Sequence, residues 1–197
     1  MTMTRFDLDH PGPGDALLVV DVQNDFLPGG ALAVPEGDRV ISVLNAWIQR
    51  FGAAGLPVLA TRDWHPAHHC SFAAQGGPWP PHCIAGTAGA GFAPGLVLPA
   101  DAILISKATQ PGEEALSGFA GTELAARLRA LGVGRVFVGG LATDYCVRAT
   151  VLDALAEGLA AVVLVDAVRA VEVHPGDGAG ALEAMRQAGA ELRPGTP

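Results

Sequence analysis

Five short stretches of the chain are almost continuously apolar: Ala16–Val20, Pro57–Ala60, Ala102–Ile105, Arg135–Val138 and Ala161–Val165. A strand with one wet face alternates apolar and polar residues. A short unbroken run of Val, Leu and Ile suits a strand covered on both faces, as in a parallel sheet. Between these runs the apolar residues recur at helical spacing. Gly37–Phe51 places Val40, Val43, Leu44, Trp47 and Ile48 on one stripe and stops near Gly52 and Gly55. Thr122–Leu131 repeats the pattern and stops at Gly132, and Thr143–Ala156 does so again and stops at Gly158. Ala179–Gln187 reads as a last helix, followed by a short edge strand around Glu191–Arg193. Alternating strand and helix predicts an α/β fold of three layers, α-β-α, around a mostly parallel central sheet with right-handed crossovers.

The pattern fails between Asp63 and Pro99. That stretch is rich in Gly, Pro and Ala and carries four of the six histidines. A long irregular segment inside a compact domain is either a functional loop or a tolerated insertion.

Composition narrows the class. With 197 residues, half of them hydrophobic and 16% charged, the chain suits one globular domain spanning 1–197. A net charge of −8 argues against nucleic acid or an anionic membrane as a partner. The opening "MTMTRFDLDHPGPGD" lacks the basic and apolar regions of a secretory signal. The longest apolar run, "LAAVVLV" from Leu159, is too short to span a bilayer. Three cysteines, Cys70, Cys83 and Cys146, are an odd and sparse set that suits a reducing cytoplasm better than a disulfide framework.

The polar residues that punctuate the strands carry the chemistry. "ALLVVD" ends in Asp21, "PVLATRD" in Asp63 and "AILISK" in Lys107, while the fourth strand leads through Gly139-Gly140 to Cys146. In open α/β sheets, ligands bind beyond the carboxyl ends of the strands. Parallel strands would therefore gather two carboxylates, an amine and a thiol on one rim. Placed near a helix N-terminus and beside Lys107, Cys146 is expected to have a lowered pKa and to act as a nucleophile. Asp21 could take and return its proton, with Lys107 steadying the thiolate. The alternatives are a packed apolar thiol beside a buried Asp21–Lys107 ion pair, and a papain-like pairing of Cys146 with a histidine close in space.

In "RDWHPAHHC" an extended backbone sends the side chains of Asp63 and His65 to the same side. His82 of "WPPHC", brought back by the loop, would complete a set of two histidines and one carboxylate, which leaves coordination positions open on a metal. Cys70 and Cys83 form no C-x-x-C pair and read as packed thiols. His69 either lines the site or caps the loop. His68 reads as solvated, and His10 and His174 as surface residues.

Five stretches then resemble one known family: "VVDVQNDFLPGGALAV", "TRDWHPAHHCSFA", "WPPHCIAGTAGAGF", "ISKATQPGEEALSGF" and "GGLATDYCVRATVLDA". In this order, and over nearly the whole chain, they are similar to the isochorismatase-like cysteine hydrolases, and within these to the nicotinamidase/pyrazinamidase group. The resemblance implies the fold of that family. It implies a catalytic triad of Asp21, Lys107 and Cys146, with Asp63, His65 and His82 as ligands of one divalent transition metal, zinc first, with iron and manganese as alternatives. It also implies a cis peptide at Leu141–Ala142, an oxyanion hole made by the N–H groups of Ala142 and Cys146, and pocket walls from Phe26, Leu32 and Trp79. Three positions depart from the family pattern. Ala108 follows Lys107 where many members have glycine, Ser71 stands where some place a further histidine ligand, and Tyr145 replaces a histidine at the pocket rim.

The implied activity is hydrolysis of nicotinamide to nicotinate and ammonia through a cysteine thioester, extending to pyrazinamide. The implied partner is a small-molecule amide, and a homo-oligomer is compatible with it. The rival within the family is an amidase acting on a carbamoyl or maleamate-type substrate. Cleavage of an enol ether fits less well, because it does not call for a thiol nucleophile. A non-catalytic binding role is the reading from a different class, which fold alone does not exclude.

Overall fold

A computed structural model describes residues 11–194. Its strands are β1 (Asp15–Val20), β2 (Val58–Asp63), β3 (Ile103–Lys107), β4 (Arg135–Leu141), β5 (Ala160–Arg169) and β6 (Glu191–Arg193). They form one sheet in the order β3-β2-β1-β4-β5-β6, and every pairing is parallel. The order reverses between β1 and β4, which opens a crevice at their carboxyl ends. The predicted runs coincide with these strands, those from Pro57 and Ala102 starting one residue early. β2 and β3 continue to Asp63 and Lys107, which pair directly across the sheet.

Helix α1 (Val40–Ala53) covers one face. Its buried Val40, Leu44, Trp47, Ile48 and Phe51 pack with Leu17, Val19, Phe137 and Val162. Helices α2 (Leu124–Ala130), α3 (Arg148–Ala156) and α4 (Asp177–Gln187) cover the other. There Leu124, Leu128, Val151 and Met185 pack with Leu18, Val136, Val138 and Val163. Alternate residues of β1 thus enter opposite cores, as the strand's two-residue period requires. Among the described residues no helix is long and apolar enough to cross a membrane.

Two differences from the expected elements matter. The segment predicted as one helix from Thr143 divides into a π-helical turn, Thr143–Val147, and α3 proper. The irregular stretch after Asp63 returns to the sheet's rim. His65 bridges Ile84 in parallel register, and residues 89–93 bond along residues 22–25. Gly140 explains the close approach of β1 and β4. It has φ of 134°, and a Cβ there would lie 2.0 Å from the Val20 carbonyl oxygen, so no side chain fits. His174 is exposed and His68 faces solvent, as expected. His10 lies outside the described residues.

At the opposite end of the sheet, Asp15 and Arg135 open β1 and β4 side by side. The guanidinium grips the carboxylate with two bonds, Nε to Oδ1 at 2.8 Å and Nη2 to Oδ2 at 2.7 Å, and both side chains are buried. Asp15→Ala leaves a buried guanidinium without its carboxylate. We expect it to cost about 3–5 kcal/mol, read by urea unfolding. A loss below about 1 kcal/mol, the scale of an exposed pair, would mean that the pair does not anchor these strands.

Candidate active site

The rim predicted from the strand ends exists. Lys107, at the end of β3, is buried, and its Nζ lies 2.9 Å from Asp21 Oδ2 and 3.5 Å from Cys146 Sγ. It also donates to Asp63 Oδ1 and, at 3.2 Å, to the Ala115 carbonyl. Asp21 leaves β1 with φ of 49°, a left-handed conformation that aspartate tolerates. Thr61 Oγ1 holds its Oδ1 at 2.6 Å. Oδ2 is buried beside the ammonium without accepting a well-directed hydrogen bond from a described residue. That oxygen is an acceptor in place for a thiol proton.

Electrostatics correct one expectation. Burial is the first influence on Cys146, and it pushes the thiol well above its ordinary pKa despite the opposing pull of Lys107. Burial also raises Asp21, again against Lys107. Burial works against the charge on Lys107, but Asp21 and Asp63 hold the amine protonated, with its pKa well above the usual value. The resting site is therefore a neutral thiol beside a carboxylate–ammonium pair, not a preformed thiolate. The turn that carries Cys146 also differs from the expected α-helical start. The Ala142 carbonyl accepts the N–H of Tyr145 at 3.1 Å and that of Val147 at 3.0 Å, the wider π-type spacing. The Leu141–Ala142 peptide is cis.

Asp63, His65 and His82 are buried, and one potential ligand atom from each lies within 4.8 Å of the others. The histidine orientations suit a cation. Nδ1 of His65 faces the His82 carbonyl at 3.1 Å, and Nδ1 of His82 faces the Pro80 carbonyl at 2.8 Å. A ring nitrogen facing a carbonyl carries the proton, so Nε2 of each ring keeps its lone pair. Burial, reinforced by His82, pushes His65 down to about 3, so it is neutral at physiological pH. The donor set fits a divalent transition metal.

His69 takes the loop-capping role of its two expected ones. Its Nε2 donates to the Glu113 carbonyl at 3.0 Å and its Nδ1 pairs with Ser71 Oγ at 2.7 Å. Ser71 is thereby engaged with His69. Cys70 and Cys83 are free thiols and join no group of potential ligands among the described residues. No histidine hydrogen-bonds Cys146 among the described residues, so the site is not papain-like; its polar neighbour is Lys107.

A cleft of about 410 Å³, counted to its open mouth, ends on Cys146. Phe26, Leu32, Trp79 and Tyr145 line it as expected, together with Asp63, His82 and Ala142. Val34, Leu116 and Val171 also line it, although nothing in their spacing marked them. Most of its walls are aromatic or aliphatic, which suits an apolar ring.

Several positioning residues carried no signal of their own in the sequence. Gln23, fully buried, binds both main-chain groups of Asp63, each at 2.8 Å, and reaches the Ala90 carbonyl at 2.9 Å. Asp25 accepts the Cys83 N–H at 2.7 Å, fixing the residue next to His82. Asp144 accepts the N–H groups of Val171 and Glu172 at 2.9 and 3.0 Å, holding one lip of the cleft.

Residues 15–195 match the model of the isochorismatase domain. The chain is similar to the nicotinamidase of Escherichia coli (strain K12), 42% identical over 91% of this chain and 94% of that protein. It is likewise 42% identical to the nicotinamidase/pyrazinamidase of Mycobacterium tuberculosis, over 90% of this chain and 97% of that one. A crystal structure of the pyrazinamidase of Pyrococcus horikoshii in complex with zinc superimposes with a TM-score of 0.89 and 52% identity, covering 92% of this chain and 99% of that one.

Ala108 adopts φ of 52°, so the backbone after Lys107 keeps a glycine-like conformation with a methyl group on it. Relieving the left-handed strain outweighs the added freedom of the unfolded chain, and Ala108→Gly is expected to gain up to about 1 kcal/mol. Chemical denaturation measures it. A lower midpoint would mean that packing of the buried methyl dominates.

Proposed function

The chain belongs to the isochorismatase domain family, and from that premise we propose that it hydrolyses nicotinamide to nicotinate and ammonia, and pyrazinamide in the same way. The observation that carries this reading is the cleft itself. Its aromatic and aliphatic walls, its carboxylate–imidazole group and its thiol all face the same space. Its place of action is the cytoplasm, where three free thiols stay reduced.

The roles follow from the geometry. The ring lies between Phe26 and Trp79 with its carboxamide carbon at Cys146. Asp21 Oδ2 takes the thiol proton as Sγ bonds to that carbon. The charge on the carbonyl oxygen is met by the N–H groups of Ala142 and Cys146, each such donor being worth about 3–4 kcal/mol in other enzymes. Lys107 keeps Asp21 in place and favours its ionised form before the attack. The protonated Asp21 then gives its proton to the departing amine, and ammonia leaves as the carbon–nitrogen bond breaks. Water adds to the thioester as Asp21 takes one of its protons, the carbon–sulfur bond breaks, Asp21 returns that proton to the sulfur, and the acid released ionises to nicotinate. Asp63, His65 and His82 would hold a divalent cation, zinc first, which when bound supplies a Lewis acid for the ring nitrogen and so orients the substrate.

Ammonia release from nicotinamide tests the reading directly. Cys146→Ala is expected to fall to background while calorimetry still detects nicotinamide binding. Full turnover in that variant would remove the covalent step. Chelator treatment is expected to abolish release, and added zinc to restore it. Full amidase activity in protein shown by elemental analysis to be metal-free would instead favour a carbamoyl or maleamate-type substrate.

A further inference from the structure

We propose that Thr61 is a positioning residue for the amide hydrolysis: its hydroxyl occupies one oxygen of the Asp21 carboxylate, so that the thiol proton is taken up and returned by the other. The inference rests on the amide-hydrolase reading above and adds to it the atom on which the proton travels.

Thr61 lies within β2 and is fully buried. It meets Asp21 twice. Its carbonyl accepts the Asp21 N–H at 3.2 Å, and its Oγ1 donates to Oδ1 at 2.6 Å. Among the described residues no other side chain outside the triad hydrogen-bonds Asp21. The register of the sheet supplies this contact, since Thr61 pairs with Val20, the residue before Asp21. Packing fixes the side chain as well. A Cβ built on Gly118 would lie 2.9 Å from Thr61 Cγ2, so the methyl occupies space that a side chain there would need. Gly118 is itself held, its N–H donating to Thr150 Oγ1 at 2.9 Å. With the methyl seated against Gly118, the hydroxyl of this stiff, branched side chain is left facing the carboxylate.

A free carboxylate has two equivalent oxygens, and a proton rests on either. Here they differ. Oδ1 accepts the Thr61 hydroxyl, while Oδ2 stands 2.9 Å from Lys107 Nζ. The hydroxyl has one hydrogen and gives it to Oδ1 whether Asp21 is ionised or carries a proton on Oδ2. The bond therefore lasts through the cycle. On attack the S–H bond breaks, its proton passes to Oδ2, and the sulfur electron pair forms the bond to the carboxamide carbon. The O–H bond on Oδ2 then breaks as the proton leaves with ammonia. Without the Thr61 hydroxyl the carboxylate is free to turn and to hold the proton on either oxygen, and the fraction poised for transfer falls.

The test compares kcat and KM for nicotinamide in zinc-loaded wild type, Thr61→Val, Thr61→Ser and Thr61→Ala. Valine keeps the methyl and the shape and removes the hydroxyl, whereas serine does the reverse. Thr61→Val is expected to lower kcat about tenfold or more with KM within about twofold, and Thr61→Ser to keep kcat within about threefold of wild type. A merely structural role predicts the opposite order, because serine loses the packed methyl. Equal kcat in Thr61→Val and wild type overturns the inference, as does an equal fall in Thr61→Val and Thr61→Ser. So does a rise in KM at unchanged kcat, which would place the effect on substrate binding. If Thr61→Val does not fold, Thr61→Ala against Thr61→Ser isolates the same hydroxyl, and equal kcat in that pair overturns the inference. Wild-type protein that releases no ammonia from nicotinamide defeats the functional reading instead. Thr61 is then judged by the rate at which chloroacetamide alkylates Cys146, followed on its own peptide. That step also needs the thiol proton removed, so Thr61→Val must be about tenfold slower than Thr61→Ser, and equal rates overturn the inference.

Discussion

A single buried ammonium organises this protein's rim. Lys107 Nζ lies within bonding distance of two carboxylates from neighbouring strands and faces the thiol of a third element. Taking three ionisable groups out of water is costly, and the cluster persists because each charge has an opposite partner. The fold's part is to bring those partners together without adjustment. Asp63 and Lys107 pair directly in the sheet, and Asp21 follows Val20, which pairs with Thr61 two residues before Asp63. The backbone bends into left-handed conformations immediately after β1 and β3, at Asp21 and Ala108. The sheet thus ends at the charges it positions.

The same cluster decides the state of the nucleophile. A helix N-terminus and a lysine would favour a thiolate if they acted alone. Here a thiolate would be a third anion, buried beside Asp21 and Asp63. Burial and those carboxylates outweigh Lys107, so the proton stays on sulfur, and in the proposed reaction Asp21 is the base that collects it. A carboxylate whose pKa burial holds above its ordinary value receives a proton more readily than a free one and can return it to a leaving amine. Asp63 joins this cluster to the candidate metal ligands, since one of its oxygens meets Lys107 and the residue also stands with His65 and His82.

Much of this was legible in the sequence for a simple reason. A strand buried on both faces is an unbroken apolar run, and an ionisable residue terminating such a run must sit at the sheet's edge. Asp21, Asp63 and Lys107 were found that way, and the glycine pair before Cys146 marked the fourth strand end. Other features left no periodic trace. Gln23, Asp25 and Asp144 act through hydrogen bonds from side chain to distant backbone, over 27 to 67 residues of chain, and a single polar residue in a loop does not announce its partner. The π-helical turn was hidden because its apolar spacing over five residues is indistinguishable from a helix's first turn. The bend after Lys107 was obscured because an alanine occupies a conformation that glycine usually signals.

These silent residues divide the labour between rigid and variable parts of the molecule. Groups that exchange a proton with substrate must be placed to a fraction of an ångström, and they stand on strand ends or on the turn next to one. The ring pocket is built largely from loops, which would be free to move if they were held only by their own turns. They are not. Gln23 ties residues 63 and 90 to the first strand's exit, Asp25 ties residue 83, His69 ties the segment at Glu113, and Asp144 ties residues 171 and 172 to the nucleophile's turn. Each tie pairs a side chain with a main-chain group that water would otherwise satisfy, and so holds a wall in place without constraining the side chain that forms it. The backbone beneath the walls is therefore fixed from outside the cleft, while Phe26, Val34 and Ala142 are held by the core as well, and the charges at the rim rest on the sheet rather than on the loops.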